Sequence, residues 1–326
     1  MLWHAVAMMP GIPWLTVQNK PSFFMKEQLD PLSEADAPVV AAHYTGLVEK
    51  YRGELDTQRQ QAQQFIQVQA AQKAKSGLVC KGQIGAVEAA MLYIMIREHK
   101  PAETIEIGAL CGSSTRWILA ALERNGHGHL TTYDLHDYTP SFVNRSFAPS
   151  VLKHRWSFVQ GDAIAALDKD DVPFDAELLF IDALHRNSFA QLYTDRLLRK
   201  AAAAISHPLP VFVHDIFSPF MIPAFKHCQT DMSLATLRTE VDCIRRAAKA
   251  TSGNRLDLLY SEKQPGGEGI ELMAWLARTA RSKAFVTFSM YAAPAVSRSI
   301  ARALHRPDDA ANNNPAIFFL IKPDKH

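Results

Sequence analysis

The chain has 326 residues, of which 48% are hydrophobic and 21% charged, and a formal net charge of +2. That apolar content suffices for one large core or two smaller ones, and so even a charge balance gives no electrostatic ground for a nucleic-acid partner. No segment is long and uncharged enough to span a bilayer, so length and composition agree with a soluble, cytoplasmic enzyme, with neither nucleic acid nor membrane expected as partner.

The opening MLWHAVAMMPGIPWL is apolar, but it lacks a basic flank and is broken by Pro10 and Pro13. It reads as a segment that packs on the protein rather than as a signal sequence. Ser33 to Lys75 is helical and polar, with the glutamine- and alanine-rich run RQQAQQFIQVQAAQKAK; residues 1–76 are expected to form a helical extension or lid. A surface helix, or one that pairs with a second copy of the chain, is its plain reading. From Val79 to Ser218 strands and helices alternate, with strands expected at Thr104–Ile107, His129–Tyr133, Trp156–Val159, Glu177–Ile181 and Pro210–Val213 and a helix over Ser188–Ile205. Leu234–Ala250 reads as an amphipathic helix and KQPGGEG as a loop, both inside an insertion over about 219–280 near the substrate side. Two runs, Ala284–Tyr291 and Ala316–Ile321, read as strands, separated in part by the disorder-like RPDDAANNNP. The cysteines at Cys80, Cys111, Cys228 and Cys243 show neither metal-ligand nor disulfide spacing and fit a reducing cytosol, with Cys111 a small buried residue.

The most informative segment is Thr104 to Thr115, TIEIGALCGSST. An apolar strand that ends in an acidic residue and runs through Gly108 and Gly112 into a helix makes a tight turn at the carboxyl edge of a sheet. Small cofactors bind at such turns. The glycines allow close backbone approach, the helix start at Ser113 and Ser114 offers unpaired N–H groups, and Asp134, closing LTTYD, suits a ribose diol. A dinucleotide fingerprint needs GxGxxG and a phosphate loop needs Lys before Ser or Thr; neither is present. A nucleoside cofactor without phosphate remains, and S-adenosylmethionine has that shape.

Lys81 to Thr115, KGQIGAVEAAMLYIMIREHKPAETIEIGALCGSST, resembles the corresponding segment of catechol O-methyltransferase and its metal-dependent relatives. Both the KGQI lead-in and the glycine turn are present at matching separation, and the resemblance covers roughly residues 77–219. It implies an α/β fold, a doubly wound, mostly parallel seven-stranded sheet of the Rossmann-like methyltransferase type ending in an antiparallel pair, with residues 77–326 as the methyltransferase domain. It implies cofactor contacts at Lys81, Glu106, Gly108, Ala109, Gly112, Ser113, Ser114 and Asp134, at the adenine turn Gly161, Asp162 and Ala163, and at Asp182. It also assigns a divalent-metal site to Asp182, His214 and Asp215, where the family typically has Asp-Asn in place of the last two. The general base, a lysine in catechol enzymes, is His185 here, as in the macrocin-type, sugar-methylating branch.

Chemistry follows from the residue types. ELLFIDALH and PVFVHDIFSP place Asp182, His185, His214 and Asp215 at two strand ends that open on one crevice. Imidazole with carboxylates suits manganese, iron, cobalt or zinc as well as magnesium. With a pKa near ~6.5 a free His185 is a natural proton acceptor; as a further ligand it would leave that role to another group. Asp182 as a helix cap, His214 as a backbone-satisfied core histidine and Tyr133, His136 and Tyr138 as packing residues are the plain alternatives. Metal-assisted O-methyl transfer to a sugar, phenol or natural-product intermediate is the leading reading. N-methyl transfer, and a methyltransferase-like fold whose site does other chemistry or only binds ligand, are the alternatives.

Overall fold

The computed structural model describes residues 23–25, 29–31, 33–76, 80, 84–167, 175–216, 267–278, 282–289, 293–306 and 316–323. Elements are numbered along these residues. One sheet of seven strands runs β3-β2-β1-β4-β5-β7-β6. β1 (Glu103–Ile107), β2 (His129–Asp134), β3 (Trp156–Gln160), β4 (Leu178–Ile181) and β5 (Leu209–Val213) are parallel, and β7 (Ile317–Ile321) lies antiparallel between β5 and β6 (Ser282–Thr287). The central strands LLFI, LPVFV and IFFLI are buried along their whole length. Continuous apolar runs of this kind are what a sheet covered on both faces requires. At the edge, β3 is only half-buried or exposed.

Helices cover the sheet. α2 (Ala86–His99) is buried continuously from Val87 to Ile96, and a left-handed Lys100 closes it. α3 (Ser113–Asn125) starts at Gly112 and stops at Gly126, both with positive φ. α1 (Ala37–Ser76) is polar over most of its surface, but Val40, Tyr44, Val48, Tyr51 and Leu55 recur at helical spacing and are buried. That stripe packs on α10 (Pro294–Ala303) and joins the main core. Further along α1, Gln69 donates to the Cys111 carbonyl at 3.1 Å. The expected surface helix therefore has a buried face and touches the glycine turn.

Three expectations change. Cys80 and Cys111 form a disulfide with Cα atoms 5.8 Å apart, in place of scattered thiols; the fold brings together residues whose spacing gave no sign of it. The end of KQPGGEG is not loop: Gly267, Glu268 and Gly269 open a helix, α9 (Gly267–Arg278). Gly269 is tolerated because the helix start abuts the chain after β5, where a Cβ would meet the Ile216 carbonyl oxygen at 2.3 Å. The helix expected over Ser188–Ile205 is α7 (Asn187–Leu192) and α8 (Arg199–Ala204) joined by a π-helical stretch, Tyr193–Leu198. Leu234–Ala250 lies outside the described residues. Among the described residues no helix is long and apolar enough to cross a membrane.

Candidate active site

The carboxyl ends of β1, β2 and β4 open on a cavity of about 690 Å³. It lies where the strand order reverses beside β1, the position at which open α/β sheets hold ligands. Gly108 has φ +82° and sits so close to β4 that a Cβ would lie 1.9 Å from the Asp182 carbonyl oxygen. Any side chain there would force β1 and β4 apart. Gly112, at φ +77°, does not line the cavity; its missing side chain makes room for Val143 and Thr139.

Asp134 lines the cavity, and its carboxylate also holds the turn. Oδ2 accepts from the Ala109 and Leu110 amides at 2.8 Å each, and Oδ1 accepts from the His136 amide at 2.8 Å. Ala109, Ser113, Ser114, Gly161, Asp162 and Ala163 line the same cavity, and the Gly161 amide donates to the Asp134 carbonyl at 2.8 Å. Asp162 also caps the short helix α6 (Ala163–Leu167) through the Ile164 and Ala165 amides. Tyr133 and His136 reach the cavity, whereas Tyr138 stacks on His136 and packs against Phe65, Cys111 and Phe142. Exposed leucines rim the mouth, namely Leu110, Leu135, Leu184 and Leu192, an apolar frame suited to a flat ring.

Glu106 is placed differently from its expected role. It is fully buried, outside the cavity lining, and accepts from Ser114, Thr115 and Thr132 hydroxyls at 2.6, 2.7 and 2.8 Å. It ties β1 to β2 and to the start of α3. Burial pushes its carboxyl up to about 7, against the pull of the three hydroxyls. Lys81 lies outside the described residues.

Deeper, the expected ionisable groups converge. His214 Nδ1 stands 3.2 Å from Asp182 Oδ1 and 3.5 Å from Asp215 Oδ1. His185 Nε2 stands 3.5 Å from Asp182 Oδ1 and 3.7 Å from Asp215 Oδ2. Asp182, His214 and Asp215 each offer a ligand atom, all within 4.8 Å of one another. With bonds of roughly 2.0–2.6 Å, one divalent cation can be held by a set of that size. Imidazole plus carboxylate is a donor set that manganese, iron, cobalt or zinc accepts, so the residues fit a metal. Asp215 reaches the cluster from a backbone with φ +61°, a left-handed geometry that aspartate tolerates better than most residues.

The plain alternatives do not describe these residues. Asp182 does not cap α7, which begins at Asn187 with Arg186 at the N-cap and no side-chain cap, and its carboxylate instead meets His214. His214 is buried, but carboxylates satisfy it: its Nε2 lies 3.0 Å from Glu88 Oε2. Burial works against charge on Asp182, yet His214 and His185 overcome it and hold the carboxyl below its usual range. Burial likewise opposes a charged His185, but Glu268, Asp182 and Asp215 raise it to about 9.

Two functional candidates escaped the sequence. Glu88 stands alone in the apolar helix AVEAAMLYIMI, an anomaly that was visible. Glu268, from α9, contacts His185 Nδ1 at 2.8 Å across 83 positions, and nothing local announces it. A separate cavity of about 200 Å³ lies beneath α1. Its Arg52, Arg59 and Arg116 are engaged with Glu49, Asp56, Gln58 and backbone carbonyls, so it reads as a gap in helix packing.

Residues 105–207 match the family model described as a methyltransferase domain. No curated protein matches the chain. Among solved structures, the O-methyltransferase TomG from Streptomyces achromogenes, in complex with SAM, is similar at 14% identity and TM-score 0.46, over 78% of this chain and 88% of that one. An O-methyltransferase from Bacillus cereus, in complex with SAH, is similar at 15% identity and TM-score 0.47, over 81% and 91%. Likenesses this distant lend nothing to the choice of substrate or metal.

Proposed function

We propose that this chain is a class I S-adenosylmethionine-dependent methyltransferase that carries out metal-assisted methyl transfer to a hydroxyl of a small molecule, a reading supported by its match to a methyltransferase domain and by its sheet order. One observation carries the finer reading: Asp182, His185 and Asp215 line the same cavity as the glycine turn, with His214 buried against the two aspartates.

The cofactor's residues are those of the upper cavity. The turn at Gly108 and Ala109, the start of α3 and Asp134 would hold the amino-acid and ribose parts, with Asp162 and the rim leucines beside the base. When bound, the cofactor supplies a methyl group on a sulfonium, an electrophile that needs an aligned and deprotonated acceptor. Asp182, His214 and Asp215 would hold the metal, which supplies a lowered pKa to a coordinated hydroxyl. With a cation on Asp182 and Asp215, two of the charges that raise His185 to about 9 are offset, and the neutral ring takes the hydroxyl proton at Nε2 while Nδ1 faces Glu268. Alignment of the acceptor against the methyl group contributes much of the rate in such transfers.

The test is to incubate the protein with labelled S-adenosylmethionine, Mn²⁺ or Mg²⁺, and a panel of sugars, phenols and amines. Labelled product from a hydroxyl acceptor supports the reading; absence of both cofactor binding by calorimetry and methyl transfer sinks it. Asp182→Ala and Asp215→Ala should lose metal, whereas His185→Ala should keep it and lose turnover. Full metal retention in the aspartate variants would overturn the site assignment.

A further inference from the structure

Two fully or almost fully buried glutamates sit behind the cluster, each on the far side of one imidazole. Glu88 is 0% exposed and Glu268 2% exposed. A carboxylate in an apolar helix is costly to bury unless it is paired or hydrogen-bonded. Glu88 belongs to the first turn of α2, accepts from the Ala316 amide at 2.7 Å beside β7, and places Oε2 3.0 Å from His214 Nε2. Glu268 belongs to the first turn of α9, where the helix dipole favours an acid, and places Oε2 2.8 Å from His185 Nδ1. The close seating of Gly269 on Ile216 fixes that turn beside the Asp215 segment.

We propose that Glu88 and Glu268 are positioning residues of the site, each receiving the N–H of one imidazole and thereby turning the other ring nitrogen, unprotonated, toward Asp182 and Asp215. The proposal rests on the metal reading above. A carboxylate that accepts the outer N–H of an imidazole fixes tautomer and ring orientation and raises the basicity of the inner nitrogen. Here the pattern occurs twice with opposite nitrogens. His214 carries its proton on Nε2 and offers Nδ1 to the cation; His185 carries its proton on Nδ1 and keeps Nε2 as the acceptor. With a cation offsetting Asp182 and Asp215, exchanging these roles would turn a bare ring nitrogen toward Glu88 or Glu268 and an N–H toward the cation.

Nitrogen-15 NMR of the histidine rings in the Zn²⁺-loaded protein reads the tautomers, and calorimetric Zn²⁺ titration reads affinity. The expected result is a proton on Nε2 of His214 and on Nδ1 of His185, with Glu88→Gln weakening Zn²⁺ binding roughly 10- to 100-fold at little change in melting temperature. Glu268→Gln should release the His185 tautomer to a mixture, and Glu268→Asp should restore it only in part. The opposite tautomer at either ring, or unchanged Zn²⁺ affinity in Glu88→Gln, would overturn the proposal. Failure of the wild type to bind Zn²⁺, Mn²⁺ or Mg²⁺ would overturn the metal reading itself, and with it the His214 half; the His185 tautomer in the metal-free protein, read at a pH alkaline enough to leave the ring neutral, then decides the Glu268 half.

Discussion

Asp215 shows how a single backbone geometry serves the site. Its positive φ aims the carboxylate back at His214 and His185, at a conformational cost of about 1 kcal/mol for a residue with a Cβ. Asp215→Gly should therefore be more stable than Asp215→Ala by about 1 kcal/mol in denaturant unfolding, while both lose metal. Equal stabilities would show that the left-handed backbone is not retained. Glu106 gives a pH signature. Its folded pKa, raised by burial to about 7, lies above the unfolded value, so it stabilises the fold fully at low pH, and that contribution is lost as pH rises toward 7. The melting temperature of Glu106→Gln relative to wild type should climb between about pH 4.5 and pH 7 and level off above; a flat difference would contradict the assignment. Residues at strand ends were readable because strand, turn and acid are neighbours in sequence. Glu88 meets His214 across 126 positions, and only its oddity as an acid in an apolar run hinted at a purpose.

Elements reach the site from unexpected directions. The Cys80–Cys111 bridge fastens the segment ahead of α2 to the turn between β1 and α3, closing a separation of 31 residues. In the chain-entropy picture such a loop is worth roughly 3–4 kcal/mol. Reduction, or Cys80→Ser, should lower the melting temperature by several degrees and weaken binding of S-adenosylmethionine, read by calorimetry with and without reductant. An unchanged affinity on reduction would show that Gln69 and Asp134 hold the turn without it. α9 explains the misread loop. Glycines at 266, 267 and 269 signal a turn locally, but a close approach to Ile216 demands the last of them in a helix. Gly269→Ala should dislodge that helix start, and His185 would lose its Glu268 contact; loss of the 2.8 Å pair can be followed by the His185 ring resonances.

At the scale of the whole molecule, the alternation of apolar runs made the parallel core legible, and each of its strands lies within a residue or so of its expected place. The antiparallel end was legible as a pair of strands, though β6 stops at Thr287, short of the expected Tyr291. What the sequence withheld was the closing of the site by elements far along the chain, since contact between α9 or Ala316 and the strand ends depends on the finished sheet rather than on any local pattern. β7 follows β6 in synthesis but lies inside it, hydrogen-bonded to both β5 and β6. On a ribosome, then, β6 waits without a partner until β7 emerges, and the same arrival delivers the Ala316 amide to Glu88. Under the proposed role of Glu88, completion of the fold and orientation of the His214 imidazole become one event, and a nascent chain would hold no finished cation site before its sheet is whole.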